Sequence, residues 1–169
     1  MPNYSYNSLS LSTKNEDDAN WLIDIWENPE QGVFSRIRPL PGGQYDYELA
    51  IETWGAKWDV TSDYILSVDV QKLECGLICI DIEFDTAWDP PRGVLSELRR
   101  RGFSVHCDYE DESMGVRGVW ENGYDTCHTE LWDGSIKTST TRDDDDLEDS
   151  STVELSFDQP LRTTPSESS

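Results

Sequence analysis

Leu77-Ile78-Cys79-Ile80-Asp81-Ile82-Glu83-Phe84-Asp85 alternates with a period of two. Ile78, Ile80, Ile82 and Phe84 fall on one side of such a segment, and Asp81, Glu83 and Asp85 on the other. Successive side chains of a strand point to opposite faces, so the pattern predicts a β-strand with one face in an apolar core and the other in water. Immediately upstream, Tyr64–Val70 places Tyr64, Leu66, Val68 and Val70 on one face and meets the first strand through the turn Glu74-Cys75-Gly76. Downstream, Asp89-Pro90-Pro91 predicts a helix start, with Asp89 as N-cap and proline in the first turn. Val94, Leu95 and Leu98 would face inward, Arg99, Arg100 and Arg101 would meet the negative end of the helix dipole, and Gly102 would stop the helix. Phe103–Glu110 alternates again, with Phe103, Val105, Cys107 and Tyr109 inward.

The N-terminal part supplies the remaining layer. Tyr4–Ser12 reads as a strand with Leu9 and Leu11 on one face. Thr13 and Glu16 have capping-box spacing, and Ala19, Leu22, Ile23 and Trp26 follow at helical spacing up to Asn28-Pro29. Residues 29–44 are rich in proline and glycine and predict an irregular connection, followed by a shorter helix from Asp46 to Thr53. Near the other end, Gly118–Glu121 and Asp125–Trp132 predict two strands around an Asn122-Gly123 turn. The order β-α-(insert)-β-β-α-β predicts an α+β, ferredoxin-like antiparallel sheet with two helices on one face. An inserted helix and loop follow the first helix, and an extra C-terminal hairpin extends the sheet. The expected domain spans residues 1–134. Residues 135–169 carry nine acidic and three basic side chains, with six carboxylates in Asp143–Asp149, and are expected to form a mostly disordered Ser/Thr-rich tail. Thr152–Phe157 could add an edge strand.

Composition narrows the function. The 169 residues hold 35 Asp+Glu against 13 Lys+Arg, a formal charge of −22, of which −16 lies outside the tail. Direct nucleic-acid binding rests on cations that displace condensed counterions, so it is disfavoured, as is an anionic membrane surface. No apolar run reaches the roughly 18 residues of a membrane helix, and Met1-Pro2-Asn3-Tyr4 does not open a signal peptide. The expected location is the host cytoplasm, with Cys75, Cys79, Cys107 and Cys127 as reduced packing thiols. His106-Cys107 and Cys127-His128 invite a zinc site, but adjacent strand residues face opposite ways, so each pair offers one ligand. No Gly-rich phosphate loop, nucleophile elbow or His-Glu-x-x-His helix occurs. Trp54, Trp58 and Trp88 are expected to anchor loops on the sheet, with Lys57 paired to Asp59 or Asp85.

Several stretches resemble the YubB-type (Api-type) ferredoxin-like domain family of phage and plasmid proteins of unknown function. They are the Met1-Pro2-Asn3 opening, Trp54-Gly55-Ala56-Lys57-Trp58-Asp59, Phe84-Asp85-Thr86-Ala87-Trp88-Asp89-Pro90-Pro91, and Tyr109-Glu110 leading to Met114-Gly115. The chain departs from that pattern at Tyr4-Ser5, where the family has Trp-Cys, and in its acidic tail. The resemblance implies the fold and a mobile-element origin, and it brings no established activity.

The helix-free sheet face remains as the candidate site. Asp81, Glu83 and Asp85 would run down its middle, with Asp69 on one side and Ser104, His106, Asp108 and Glu110 on the other. RNA-binding domains of this topology stack bases on that face, whereas here it is anionic. Three uses compete: a solvated surface, a divalent-metal site from Asp81 or Glu83 with Asp108 and His106, and a surface presenting charge to a protein that grips phosphates. Carboxylates at i, i+2 and i+4 recur every ~6.8 Å, about twice the ~3.4 Å axial step of a DNA strand. The sequence therefore leads to a non-enzymatic mobile-element protein that needs no cofactor. Its expected role is to bind and inhibit a basic host protein, such as a defence nuclease, through Asp69, Asp81, Glu83, Asp85, Asp108 and Glu110, with DNA mimicry as one form. The alternatives are a metal-dependent hydrolase using the same face and a self-associating structural protein.

Overall fold

In the computed structural model, which describes residues 3–143 and 152–156, the decisive alternating stretch forms strand β3, Ile78–Ala87. Before it come β1 (Tyr4–Thr13), α1 (Glu16–Glu27), α2 (Phe34–Ile37), α3 (Tyr47–Trp54) and β2 (Ile65–Lys72). After it come α4 (Arg92–Arg100), β4 (Ser104–Asp111), β5 (Val116–Glu121), β6 (Tyr124–Glu130), β7 (Ile136–Arg142) and β8 (Thr152–Ser156). The result is an α+β architecture with one open antiparallel sheet ordered β2-β3-β1-β4-β5-β6-β7-β8. Seven strands are reached by Arg142, and β8 joins through β7.

Alternation explains the central pairing. Leu9 lies opposite Ile82 and Leu11 opposite Ile80, while on the other side they face Cys107 and Val105. All six are buried, together with Phe84, Leu22, Trp26, Leu95 and Leu98. Helix α1 packs on β1 and β3, and α4 on β4, so both helices cover the same face. Each fully buried aliphatic or aromatic side chain contributes roughly 1.5–3 kcal/mol, so this layer dominates stability. Gly93 allows α4 to touch the end of α3, because a Cβ there would lie 1.8 Å from the Thr53 carbonyl oxygen.

Several expectations are corrected. Asn15, not Thr13, caps α1, accepting from the Asp18 amide at 3.0 Å, because β1 continues through Thr13. On α1 the fully buried residues are Ala19, Leu22, Ile25 and Trp26, with Ile23 only packed against the rim. Asp89 does not cap α4. Pro91 takes the N-cap position without a side-chain bond, its carbonyl accepting from the Val94 and Leu95 amides. In β2 the register shifts between Ile65 and Ser67, a bulge that turns Leu66 outward to 55% exposure and gives the inward place to Ile65.

The C-terminal extension is larger than a hairpin. Asn122 and Gly123 both have positive φ, the conformation of a tight hairpin turn, and they join β5 to β6 as expected. Ile136–Arg142, placed in the tail by composition, instead pairs along its whole length with β6. Ladder hydrogen bonds do not depend on apolar side chains, so a Thr/Ser-rich strand carries little hydrophobic signal. Thr152–Ser156 forms the edge strand left open by the sequence. Residues 1–2, residues 144–151 with most of the acidic run, and residues 157–169 lie outside the described residues. With four strands added beyond β4, β3 lies next to the edge strand β2 and not at the middle of the sheet.

Candidate functional site

The strand register sets the helix-free face out in rows. One row runs Asp69, Asp81, Ser10, His106, Glu121 and Tyr124. The next runs Ser67, Glu83, Ser8, Asp108, Val119 and Thr126. A third runs Asp85, Tyr6, Glu110, Arg117 and His128. All six expected residues therefore share one face, but β1 separates them into two groups. Asp69, Asp81, Glu83 and Asp85 lie on one side of its serines, and Asp108 and Glu110 on the other. The two groups are two strand spacings apart, about 9–10 Å.

Charge on this face is one-sided. The outward positions of β2, β3, β1 and β4 hold six carboxylates and neither lysine nor arginine. Asp69 and Asp81 are direct cross-strand neighbours, an arrangement in which like charges destabilise a sheet. Five of the six acids are exposed, whereas Asp85 is half-buried and burial raises its pKa. Tyr6, beside it, has its phenol pKa raised by burial, then by hydrogen bonding to Glu83 and the charge of Asp85. His106 lies between two acids, with Nε2 3.1 Å from Asp108 and Nδ1 3.5 Å from Glu121. Among the described residues no three His, Cys, Asp or Glu side chains converge as metal ligands. The intervening β1 keeps Asp81 and Glu83 away from Asp108 and His106.

Beyond β4 the face changes character. Arg117 lies opposite Glu110, and Tyr6, Asp108, Glu110, Arg117, Val119 and His128 line an open groove of about 240 Å³. Beneath it, a polar network fixes β4 to β6. The Tyr109 hydroxyl donates to Asp125 at 2.6 Å and accepts from Arg92 Nη2 at 3.2 Å, while Arg92 Nε bonds the other Asp125 oxygen. Burial raises the Tyr109 pKa despite Arg92, and Asp125 holds Arg92 fully charged against the cost of its burial. Gly118 leaves room for that phenol: a Cβ there would lie 2.4 Å from the Tyr109 oxygen.

The cysteines and tryptophans also find places. All four cysteines are free. Cys107 is buried while its neighbour His106 faces out, as strand alternation requires, and burial raises the Cys107 pKa. The two tryptophan motifs form one corner, where the Lys57 amide donates to the Ala87 carbonyl at 3.1 Å. Trp54 is 2% exposed and its indole donates to the Arg38 carbonyl at 2.7 Å. Lys57 does not take the expected carboxylate partner. Its ammonium lies 4.8 Å from the Trp88 ring centre, 5.3 Å from Trp58 and 5.7 Å from Tyr47. Asp59 instead accepts from the Val33, Phe34 and Ser35 amides at the start of α2. Trp88 adopts φ +78°, and its amide N–H donates to the Asn3 carbonyl at 2.7 Å. Adjacent motif residues gave no sign of this caging, which depends on two distant turns meeting.

Fold and site together define the class: an α+β protein with an open antiparallel sheet whose helix-free face carries acids on β2, β3 and β4 around the serines of β1. Comparison with family models, curated proteins and solved structures finds no match. Among the described residues no helix is long and apolar enough to cross a membrane.

Proposed function

We propose that this chain is a non-enzymatic accessory protein of a phage or plasmid that binds and inhibits a basic host protein in the host cytoplasm. The partner would be a defence nuclease or another nucleic-acid enzyme, contacted where it takes phosphates. The observation that carries this reading is the set of six outward carboxylates on β2, β3 and β4, including the Asp69–Asp81 like-charge pair, with no lysine or arginine at the outward positions of these strands or of β1 between them. A sheet that tolerates such repulsion in the free state recovers it when cations dock. The strand order β2-β3-β1-β4, with α1 and α4 on one face, supports a ferredoxin-like core extended by the later strands. The tryptophan motifs, through their resemblance to the YubB-type family, support the mobile-element origin. Long-range charge would chiefly speed encounter and make binding salt-sensitive.

The test combines capture and mutation. Immobilised protein should retain a basic host protein from lysate at low salt, and duplex DNA should compete for it. Asp81→Asn, Glu83→Gln and Asp85→Asn together should slow association with that partner while leaving the fold intact. Failure to retain any basic protein, or unchanged affinity in the folded triple variant, overturns the proposal.

A further inference from the structure

Trp132, at the tip of the β6–β7 hairpin, is 97% exposed. Its turn is nevertheless well fixed. The Leu131 amide donates to the Ser135 carbonyl at 2.8 Å, and the Gly134 amide to the Leu131 carbonyl at 2.9 Å. Asp133 accepts from the Ser135 amide at 2.9 Å and hydroxyl at 2.6 Å. The backbone is held, and among the described residues nothing covers the indole. Leu131 beside it is 40% exposed, and Met114, in the turn between β4 and β5, is 57% exposed. That turn is tied to the end of β6 by the Glu130 amide, which donates to the Gly115 carbonyl at 2.8 Å. Large apolar side chains gathered at one exposed end of a domain mark contact surfaces.

The surroundings choose the partner. Glu112, Glu130 and Asp133 lie beside these apolar side chains in sequence, and a cleft of about 240 Å³ between the two hairpins is lined by Glu110, Asp111, Glu112 and Glu130, with Arg117 as the cation among its lining residues. Burying the indole against another surface would strip water from these carboxylates, so the opposing rim must supply cations. A second copy joined through this end by two-fold symmetry would bring the four acids of each cleft together against a single Arg117 from each copy, an excess of like charge. A basic partner with an apolar centre leaves no such conflict.

We propose that Trp132, with Leu131 and Met114, is the short-range anchor of this protein, inserting into an apolar patch that its partner rims with lysine or arginine. The proposal rests on the basic-partner reading above and deepens it. The acidic sheet face would govern approach, and the hairpin tip would govern dwell time, since buried aromatic anchors carry most of the energy of an interface.

The probe is an amphipathic helical peptide of leucine and lysine, compared with a peptide in which serine replaces leucine. At physiological salt the leucine peptide should bind at least fivefold more tightly than the serine peptide. That gap should fall to twofold or less in Trp132→Ala and survive in Trp132→Phe. A gap unchanged in Trp132→Ala overturns the anchor. The triple neutralisation on β3 should weaken both peptides alike and preserve the gap. If it weakens neither, the acidic-face reading fails while the anchor stands. Sedimentation over a concentration series supplies the remaining arm: self-association abolished by Trp132→Ala would make a second copy the occupant and overturn the proposal.

Discussion

The sheet half formed by β2, β3, β1 and β4 turns Leu9, Leu11, Ile80, Ile82, Phe84 and Val105 into a core beneath α1 and α4. In the half formed by β5, β6 and β7, the inward row from Cys107 continues as Trp120, Asp125 and Thr141, and the row from Tyr109 as Gly118, Cys127 and Ser139. Apolar burial organises the first half. The second depends on ladder hydrogen bonds, one buried tryptophan and the Arg92–Tyr109–Asp125 network. The outer faces differ in parallel: the first four strands carry six acids among serines with no lysine or arginine, whereas β5, β6 and β7 mix Arg117 and Arg142 with Glu121, Glu130, threonines, Tyr124 and His128. One continuous sheet can thus carry two mechanical regimes and two chemistries, because backbone pairing is indifferent to side chains while packing is not.

The sharpest way to break this comparison is to remove apolar volume from the first half. Ile80→Ala should cost about 2–5 kcal/mol in denaturant unfolding, the range for truncating a fully buried aliphatic side chain. A cost near zero would mean that the core does not carry the first half. Next in size is the network in the second half. Asp125→Asn should cost about 1–3 kcal/mol, because Arg92 and Tyr109 lose a charged partner. The Arg92 side chain is 35% exposed, so water blunts the loss relative to a fully buried pair. A double-mutant cycle with Tyr109→Phe should show coupling, and simple additivity would dissolve the network.

A smaller effect is expected from truncation. A chain ending at residue 135 should melt at a lower temperature than the full chain, because β6 loses its partner β7. A chain ending at residue 143 should keep β7 and melt closer to the full chain. Equal melting of the two truncated chains would remove β7 from the stability of the second half.

The smallest effect concerns Asp85. Burial raises its folded pKa above the unfolded value, so the folded state binds the proton more tightly. Stability from this group is present below the unfolded pKa and is lost as pH rises through the folded one. Asp85→Asn should therefore raise the Tm slightly at pH 7 and leave it unchanged in acid, measured as the difference between variant and parent melting curves. A lower Tm at pH 7 would show that the ionised carboxylate stabilises the face.

The sequence alone determined the elements whose burial is periodic: β1, α1, β3, α4 and β4 follow from apolar residues spaced at two or at three to four. It also determined that the six carboxylates share one face, since alternation in each strand fixes their side. Tertiary structure decided what depends on neighbours distant in sequence. It set β1 between the two acid groups, extended the sheet through Ile136–Arg142, and turned Leu66 outward by a bulge that only pairing with β3 reveals. It also drew Lys57 from carboxylates to aromatic rings and left Trp132 uncovered. Local spacing records which side of a strand a residue occupies, whereas adjacency across strands and exposure at a hairpin tip exist only once separate segments have met.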